Sequence, residues 1–188
     1  MTGTSKTGRA TVAGEPIVLS LGGNLGHRFE TLQAAVDALV DTPSVWIVAV
    51  SPVYESAPFG GPPGAEGSRD LSDQPGFLNA VLLGRTELSP ETLLSRAMAI
   101  EDALGRVRTD HWEPRPIDVD LVAYGELVQP DPALTLPHPR AHQRAFVLVP
   151  WQDLDPAAHL PGHGPVADLI DRLTYDDMVR RDDLQLQL

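Results

Sequence analysis

The sequence has no cysteine in 188 residues. That excludes a disulfide framework, a thiolate zinc or iron–sulfur site and a cysteine nucleophile, and it suits a reducing compartment. Lysine is nearly absent: Lys6 is the only one, and the other thirteen basic residues are arginine. Long apolar runs are missing too. The longest, Val45 to Val50, falls far short of the roughly 20 residues of a membrane span. Residues 1–16 carry no hydrophobic stretch of the kind a secretory signal needs. The expectation is a soluble, cytoplasmic protein without membrane association. Positive charge is in deficit, with 14 Lys and Arg against 26 Asp and Glu and a net charge of −12. Nonspecific nucleic-acid binding rests on neutralising phosphates, so no nucleic-acid partner is expected. Arginine's planar fork suits a local phosphate contact, so the placement of the arginines matters more than their number.

Hydrophobic residues at 42% and charged residues at 21% are the proportions of a globular protein. Residues 1–15, rich in Thr, Gly and Ser, read as a flexible leader, and 16–188 as a single domain. Ile17 to Leu21 predicts a buried strand that runs into Gly22-Gly23-Asn24. Phe29, Leu32, Val36, Leu39 and Val40 recur at helical spacing, and Pro43 closes that helix. Val45 to Tyr54 predicts one strand, Phe77 to Leu83 another, and a long Gly/Pro loop joins them from Ala57 to Pro75. Ser89-Pro90-Glu91 is a helix start, followed by Leu93, Leu94, Ala97, Ile100 and Leu104 and stopped by Gly105. Arg106 to Pro114 is a second polar loop before a strand from Pro116 to Tyr124. A stretch from Ala141, limited by Pro150, and another over 165–173 predict further helix. The order βαββαβ, then mostly helix, is the ferredoxin-like α+β pattern: an antiparallel sheet with helices packed on one face and a C-terminal helical segment added.

Ile117-Asp118-Val119-Asp120-Leu121 is the sharpest chemical feature. On a strand the two aspartates share one face and the three aliphatic residues the other. Carboxylates so placed suit Mg²⁺, which prefers oxygen and shares its shell with substrate phosphates. The plain alternative is a half-buried strand with a wet face. Arg106, Arg108 and Arg115 flank the pair, with Trp112 among them, and phosphoryl transfer needs cations of this kind; an ion-pair network that neutralises nearby acids would look the same. Gly22-Gly23-Asn24-Leu25-Gly26 fits neither G-x-G-x-x-G nor G-x-x-x-x-G-K-[ST], and a tight strand-to-helix turn explains its glycines. Phe77 and Asn79 point the same way from a strand, an aromatic face beside an amide, which suits a flat heterocycle as well as ordinary core packing. His138/His142 and His159/His163 have i, i+4 spacing, but Pro139 and Pro161-Gly162 interrupt any helix there, so zinc is not expected.

The segments L-G-G-N-L-G, Y-E-S-A-P-F-G, Q-P-G-F-L-N-A, I-E-D-A-L-G-R-V-R, H-W-E-P-R-P-I-D-V-D-L and L-P-H-P-R-A-H-Q-R-A-F-V-L-V-P-W occur in this order. Together they resemble the 6-hydroxymethyl-7,8-dihydropterin pyrophosphokinases of folate biosynthesis, over about residues 17–175. The resemblance implies transfer of the β,γ-pyrophosphoryl group of MgATP to the hydroxymethyl oxygen of the pterin, with release of AMP. It implies two Mg²⁺ ions on Asp118 and Asp120, and phosphate contacts from Arg106, Arg108 and Arg115. It implies nucleotide contacts from Glu101, His138 and Arg144. It implies a pterin site made of Phe77, Asn79, Phe146 and Trp112, with backbone from Ser56 and Ala57 to Phe59. The partners expected are therefore ATP and the pterin, on a monomer.

The chain departs from the family pattern in places. Gly23 stands where Ser is usual, and Phe77 where an aromatic hydroxyl is common. H-W-E-P-R replaces R-W-G-P-R, so Glu113 adds a negative charge, and the loop over Gly60 to Asp73 is long. Two other readings stay open on the residues alone. A nucleotidyltransferase with a glycine turn and a D-x-D would place the two close together, whereas Gly22 and Asp118 lie about 95 residues apart. A ferredoxin-like nucleotide-binding module would have no need of both aspartates, three arginines and an aromatic/amide pair, whereas Glu113 keeps an inactive relative open.

Overall fold

The structure, a computed structural model, describes residues 14–58, 73–106 and 114–188. β1 (Glu15–Gly23) sits in the middle of an antiparallel sheet, between β4 (Phe77–Thr86) and β5 (Asp118–Tyr124). Its alternation does the sorting. Ile17, Leu19 and Leu21 point to one face, and Val18, Ser20 and Gly22 to the other. On the first face pack α1 (Arg28–Val40), through Leu32, Ala35, Val36 and Leu39, and α2 (Pro90–Ala103), through Leu93, Ala97 and Ile100. The expected start of α2 is present: Ser89 Oγ accepts the Thr92 N–H at 3.3 Å, with Pro90 in the first turn. Gly105, at φ +88°, takes the left-handed position that ends this helix.

The strand expected over Val45 to Tyr54 is two strands, β2 (Val45–Val50) and β3 (Tyr54–Ser56), both paired with β4. Pro52 has no N–H to give a ladder. Beside it, Ser51 Oγ accepts the Val81 N–H at 2.9 Å in place of a backbone carbonyl. The strand order β3-β4-β1-β5, with β2 also on β4, is the ferredoxin-like order.

The other face of the sheet is not open, as a sheet with helices on one side alone would leave it. After a hairpin of β6 (Gln129–Asp131) and β7 (Leu134–Leu136) and a 3-10 turn (Ala141–Gln143), α3 (Ala145–Leu154) packs there. Its Val147, Leu148 and Trp151 meet Val18, Val81 and Val122. Pro150 withholds an N–H from α3, yet the helix runs on to Leu154 because its buried stripe stays packed. The remainder is less helical than expected. It comprises the short hairpin β8 (His159–Leu160) and β9 (Gly164–Pro165), one five-residue helix α4 (Val166–Ile170), and β10 (Val179–Arg180), which adds to the edge of β3. The chain then crosses to the first face, where Leu186 is buried in the core.

Candidate active site

The register lines up the candidate residues in rows on the α3 side of the sheet. Tyr54, Asn79, Gly22 and Asp118 form one row across β3, β4, β1 and β5, and Val81, Ser20 and Asp120 form the next. Ser56 lies opposite Phe77. Gly22 and Gly23 are strand residues here, not a turn; the turn follows them, with Gly26 at φ +64°. A Cβ on Gly22 would stand 3.1 Å from Asn79 Oδ1 and 3.9 Å from the Phe77 ring. The glycine therefore leaves a depression in the sheet floor between the amide and the carboxylates.

On the β5 side, each carboxylate has an arginine. Arg106 Nη1 reaches Asp118 Oδ1 at 2.5 Å and Glu101 Oε1 at 2.5 Å. Glu101, only 3% exposed at the end of α2, also accepts the Val119 N–H at 2.8 Å, so it ties α2, β5 and Arg106 together behind the carboxylate pair. Arg115 Nε lies 3.4 Å from Asp118 Oδ2, and Arg144 Nη1 lies 2.7 Å from Asp120 Oδ2. Burial pushes the Asp118 carboxyl up, but Arg115 and Arg106 outweigh it and hold the group below the usual carboxylate range. Burial lowers His138, with Arg144 and Arg140 adding to the effect against the opposing pull of Asp120, so the ring is neutral at pH 7. Its Nδ1 accepts the Arg140 N–H at 3.2 Å, which assigns the ring proton to Nε2, 3.8 Å from Asp120 Oδ2.

The same arginines touch the aromatic residues. The Arg115 guanidinium lies 5.7 Å from the Phe77 ring centroid, and the Arg144 guanidinium 5.6 Å from that of Phe146. Two parallel units result, Phe77–Arg115–Asp118 and Phe146–Arg144–Asp120. The amide between the strands is fixed as well: Asn79, buried, donates to Ser56 Oγ at 3.0 Å. Ser56, Ala57 and Phe146 share the wall of a cleft open to solvent. The structure thus brings together Ser56, Ala57, Phe77, Asn79, Glu101, Arg106, Arg115, Asp118, Asp120, His138, Arg144 and Phe146. Phe59, Arg108 and Trp112 lie outside the described residues, as does Glu113.

Sequence reasoning missed Asn24. It is 2% exposed, and its Oδ1 accepts the Arg115 N–H at 2.8 Å while its Nδ2 donates to Pro75 O at 3.1 Å. The Asn24 and Leu25 N–H groups both bond Arg115 O, at 3.0 and 3.2 Å. The neighbouring Gly23 permits this approach, since a Cβ there would stand 2.2 Å from Pro116 O. The partners of Asn24 are 51 and 91 residues away in sequence, so no local spacing signals them.

The donor set fits a hard cation shared with phosphate. Among the described residues no cluster of three or more His, Cys, Asp and Glu side chains is placed to hold a metal, so an ion on Asp118 and Asp120 needs further oxygens from ligand and water. That is how Mg²⁺ is usually bound beside phosphates. Among the described residues the buried Nε atoms of Arg115 and Arg144 make no hydrogen bond, Arg115 Nε facing Asp118 Oδ2 only at the 3.4 Å of an ion pair.

Comparison with known proteins gives a consistent result. A family model for 7,8-dihydro-6-hydroxymethylpterin-pyrophosphokinase matches residues 18–156. The 2-amino-4-hydroxy-6-hydroxymethyldihydropteridine pyrophosphokinase of Mycobacterium tuberculosis is 40% identical over 183 residues, covering 90% of this chain and 88% of that protein. The Pseudomonas aeruginosa protein of the same name is 38% identical over 164 residues, covering 87% and 95%. Among solved structures, a Plasmodium falciparum HPPK-DHPS with pteroate superposes with a TM-score of 0.64 over 85% of this chain at 13% identity, a likeness of fold alone. The chain spans 44% of that longer protein. Among the described residues no helix is long and apolar enough to cross a membrane.

Proposed function

The chain belongs to the 7,8-dihydro-6-hydroxymethylpterin-pyrophosphokinase family, and from that premise we infer how its own residues divide the work. The activity is ATP-dependent transfer of a pyrophosphoryl group to hydroxymethyldihydropterin, in folate biosynthesis. In this transfer the bond from the β-phosphorus to the α,β-bridging oxygen breaks, a bond from the β-phosphorus to the hydroxymethyl oxygen forms, and AMP leaves.

Phe77 and Phe146 supply aromatic faces for the pterin, with Asn79, Ser56 and the Ala57 backbone at its edge. Asp118 and Asp120 would hold two Mg²⁺ ions, which would supply screening of the triphosphate charge there. Arg106, Arg115 and Arg144 contact the phosphates, with His138 beside them. Asp118, kept ionised by two arginines, serves as an anchor and is a poor proton acceptor. A strong base is not required where the transition state is loose and positioning dominates. Glu101 acts from behind, by fixing Arg106 and the start of β5. The protein works as a cytoplasmic monomer on these two substrates.

The observation that carries this reading is the pair of units in which one arginine joins an aromatic face to a carboxylate. Asp118→Asn and Asp120→Asn test it. Each should cut AMP formation by on the order of 100-fold or more while the unfolding transition stays cooperative. Folded variants that keep near-normal turnover would contradict it.

A further inference from the structure

Arg28 is the first residue of α1, at the positive end of the helix dipole, where a cation is disfavoured. Its place is explained by what it meets. Arg28 Nη1 donates to Gly76 O at 2.6 Å and to Glu55 Oε1 at 2.7 Å. Glu55 stands between Tyr54 and Ser56 on β3, so its side chain leaves the sheet on the side opposite to theirs, toward α1. Its second oxygen, Oε2, takes Arg181 Nη1 at 2.5 Å. Arg181 is fixed in turn by its backbone N–H on Val53 O at 2.8 Å and by its guanidinium on Asp183 at 2.9 and 2.8 Å. The Arg28 hydrogen bond, with Arg181 adding to it, outweighs burial and holds the Glu55 carboxyl below the usual carboxylate range. All three members of this relay are therefore charged at pH 7.

The relay ends where the sheet runs out. Phe77 is the first residue of β4, and Gly76 precedes it. The pairing of β4 with β3 stops at Phe77 opposite Ser56, and its pairing with β1 stops one residue short, at Leu78 opposite Gly23. Strand ends open more readily than strand centres, so Phe77 needs support that the ladder does not supply. The Gly76 carbonyl shares one peptide plane with the Phe77 nitrogen and Cα. A bond that fixes the oxygen fixes the base from which the ring projects. Glu55 lies against the same peptide: a Cβ on Gly76 would stand 3.3 Å from Ser56 O and 3.5 Å from Glu55 Oε1. The phosphate side is anchored separately, since the Arg115 N–H is held by Asn24 at 2.8 Å and Asp118 by Arg106.

We propose that Arg28 is a positioning residue for the pterin: it fixes the Gly76 peptide, and through it the Phe77 ring, while Glu55 and Arg181 hold Arg28 in place. The inference rests on the pterin assignment of Phe77 given above. Arg28 spends its donors on protein acceptors, so it acts through Phe77 and not on the reacting atoms. Its effect is to order one aromatic face in advance, so that the incoming heterocycle does not have to order the strand end itself. Arg181 extends the same support to the C-terminal segment, because β10, which pairs Val179 with Glu55, leads directly into it.

A double-mutant cycle tests the proposal. Arg28→Met keeps the apolar stem and removes the donors. The KM for hydroxymethyldihydropterin should rise at least about fivefold, while the KM for MgATP stays within about twofold. In the Phe77→Ala background, Arg28→Met should move the pterin KM by less than about twofold, because the ring it places is gone. A role in stability alone would lower the unfolding midpoint without this split and without this dependence on Phe77. Arg28→Lys, which keeps a charge for Glu55, is the second variant and should show the same split with a smaller rise. A pterin KM within about twofold of the unchanged protein in a folded Arg28 variant would overturn the proposal. So would an equal rise for both substrates, or an equal rise in pterin KM with and without the Phe77 ring. If Phe77→Ala alone leaves the pterin KM unchanged, the pterin assignment of Phe77 falls and the proposal with it. Failure of the functional reading as a whole is seen separately, as absence of AMP formation by the unchanged protein.

Discussion

Replacing Glu101 by Gln removes a charge from behind the site without changing its shape. Glu101 is 3% exposed, and its Oε1 accepts from Arg106 at 2.5 Å and from Val119 N–H at 2.8 Å. A glutamine oxygen in that place can keep both bonds, but as a neutral acceptor, and Arg106 is left with Asp118 as its charged partner among these two acids. A hydrogen bond to a charged group is worth about 1.5–3 kcal/mol, and breaking a buried pair outright costs about 3–5 kcal/mol. The retained Asp118 contact puts Glu101→Gln near the lower figure, about 2–3 kcal/mol. For a chain of this size the unfolding midpoint should fall by about 5–10 °C, read by calorimetry. Turnover should fall too, because Arg106 and the start of β5 lose their shared anchor. The conservative return to Asp, one methylene shorter, should restore part of the stability. A midpoint shift of less than about 1 °C together with unchanged kcat would refute the reasoning.

Three further outcomes follow from the same geometry. Asp118 is held below the ordinary carboxylate range, so its contribution to stability is complete above that range and is lost as pH falls through the lower folded value. An acid series of unfolding midpoints should therefore drop more steeply for the unchanged protein than for Asp118→Asn. Asn24→Ala strips the buried amide from Arg115 and Pro75 and should cost about 2–4 kcal/mol in urea unfolding, with kcat falling because Arg115 loses its support. Gly23→Ala places a Cβ against Pro116 O and should destabilise by about 1–3 kcal/mol, measured the same way, with a matching loss of activity.

The elements nearest the site are legible because their patterns are unbroken. β1 and β5 alternate cleanly, so Ile117-Asp118-Val119-Asp120-Leu121 alone puts both aspartates on one face. The capping Ser89 and the stop at Gly105 bound α2, and with it the position of Glu101. The division of β2 from β3 is signalled by Pro52, but the Ser51 hydroxyl that spans the gap pairs with a residue thirty positions away. Segments such as β8, β9 and β10 are two residues long and carry no period to read. Their pairing is decided by tertiary packing, which is why the chain after β5 holds less helix than its composition implies. Asn24 is invisible for the same reason. Its importance lies in what the fold brings to it, whereas the aspartates and arginines announce their chemistry by type and spacing.

The histidines illustrate the limits of spacing. His138/His142 and His159/His163 sit four apart in sequence, but the pair that meets is His142 with His163, stacked at 4.4 Å with 13° between the rings. The stack joins the 3-10 turn to the β8–β9 hairpin, beside the segment that carries Arg144 and Phe146.

The central claim is that this chain moves a pyrophosphoryl group to the pterin. Phosphorus NMR of the products formed from MgATP and hydroxymethyldihydropterin tests it most directly. The account predicts AMP and the pterin pyrophosphate in equal amounts, each dependent on the pterin. ADP, or no pterin-dependent product from folded protein, would contradict it.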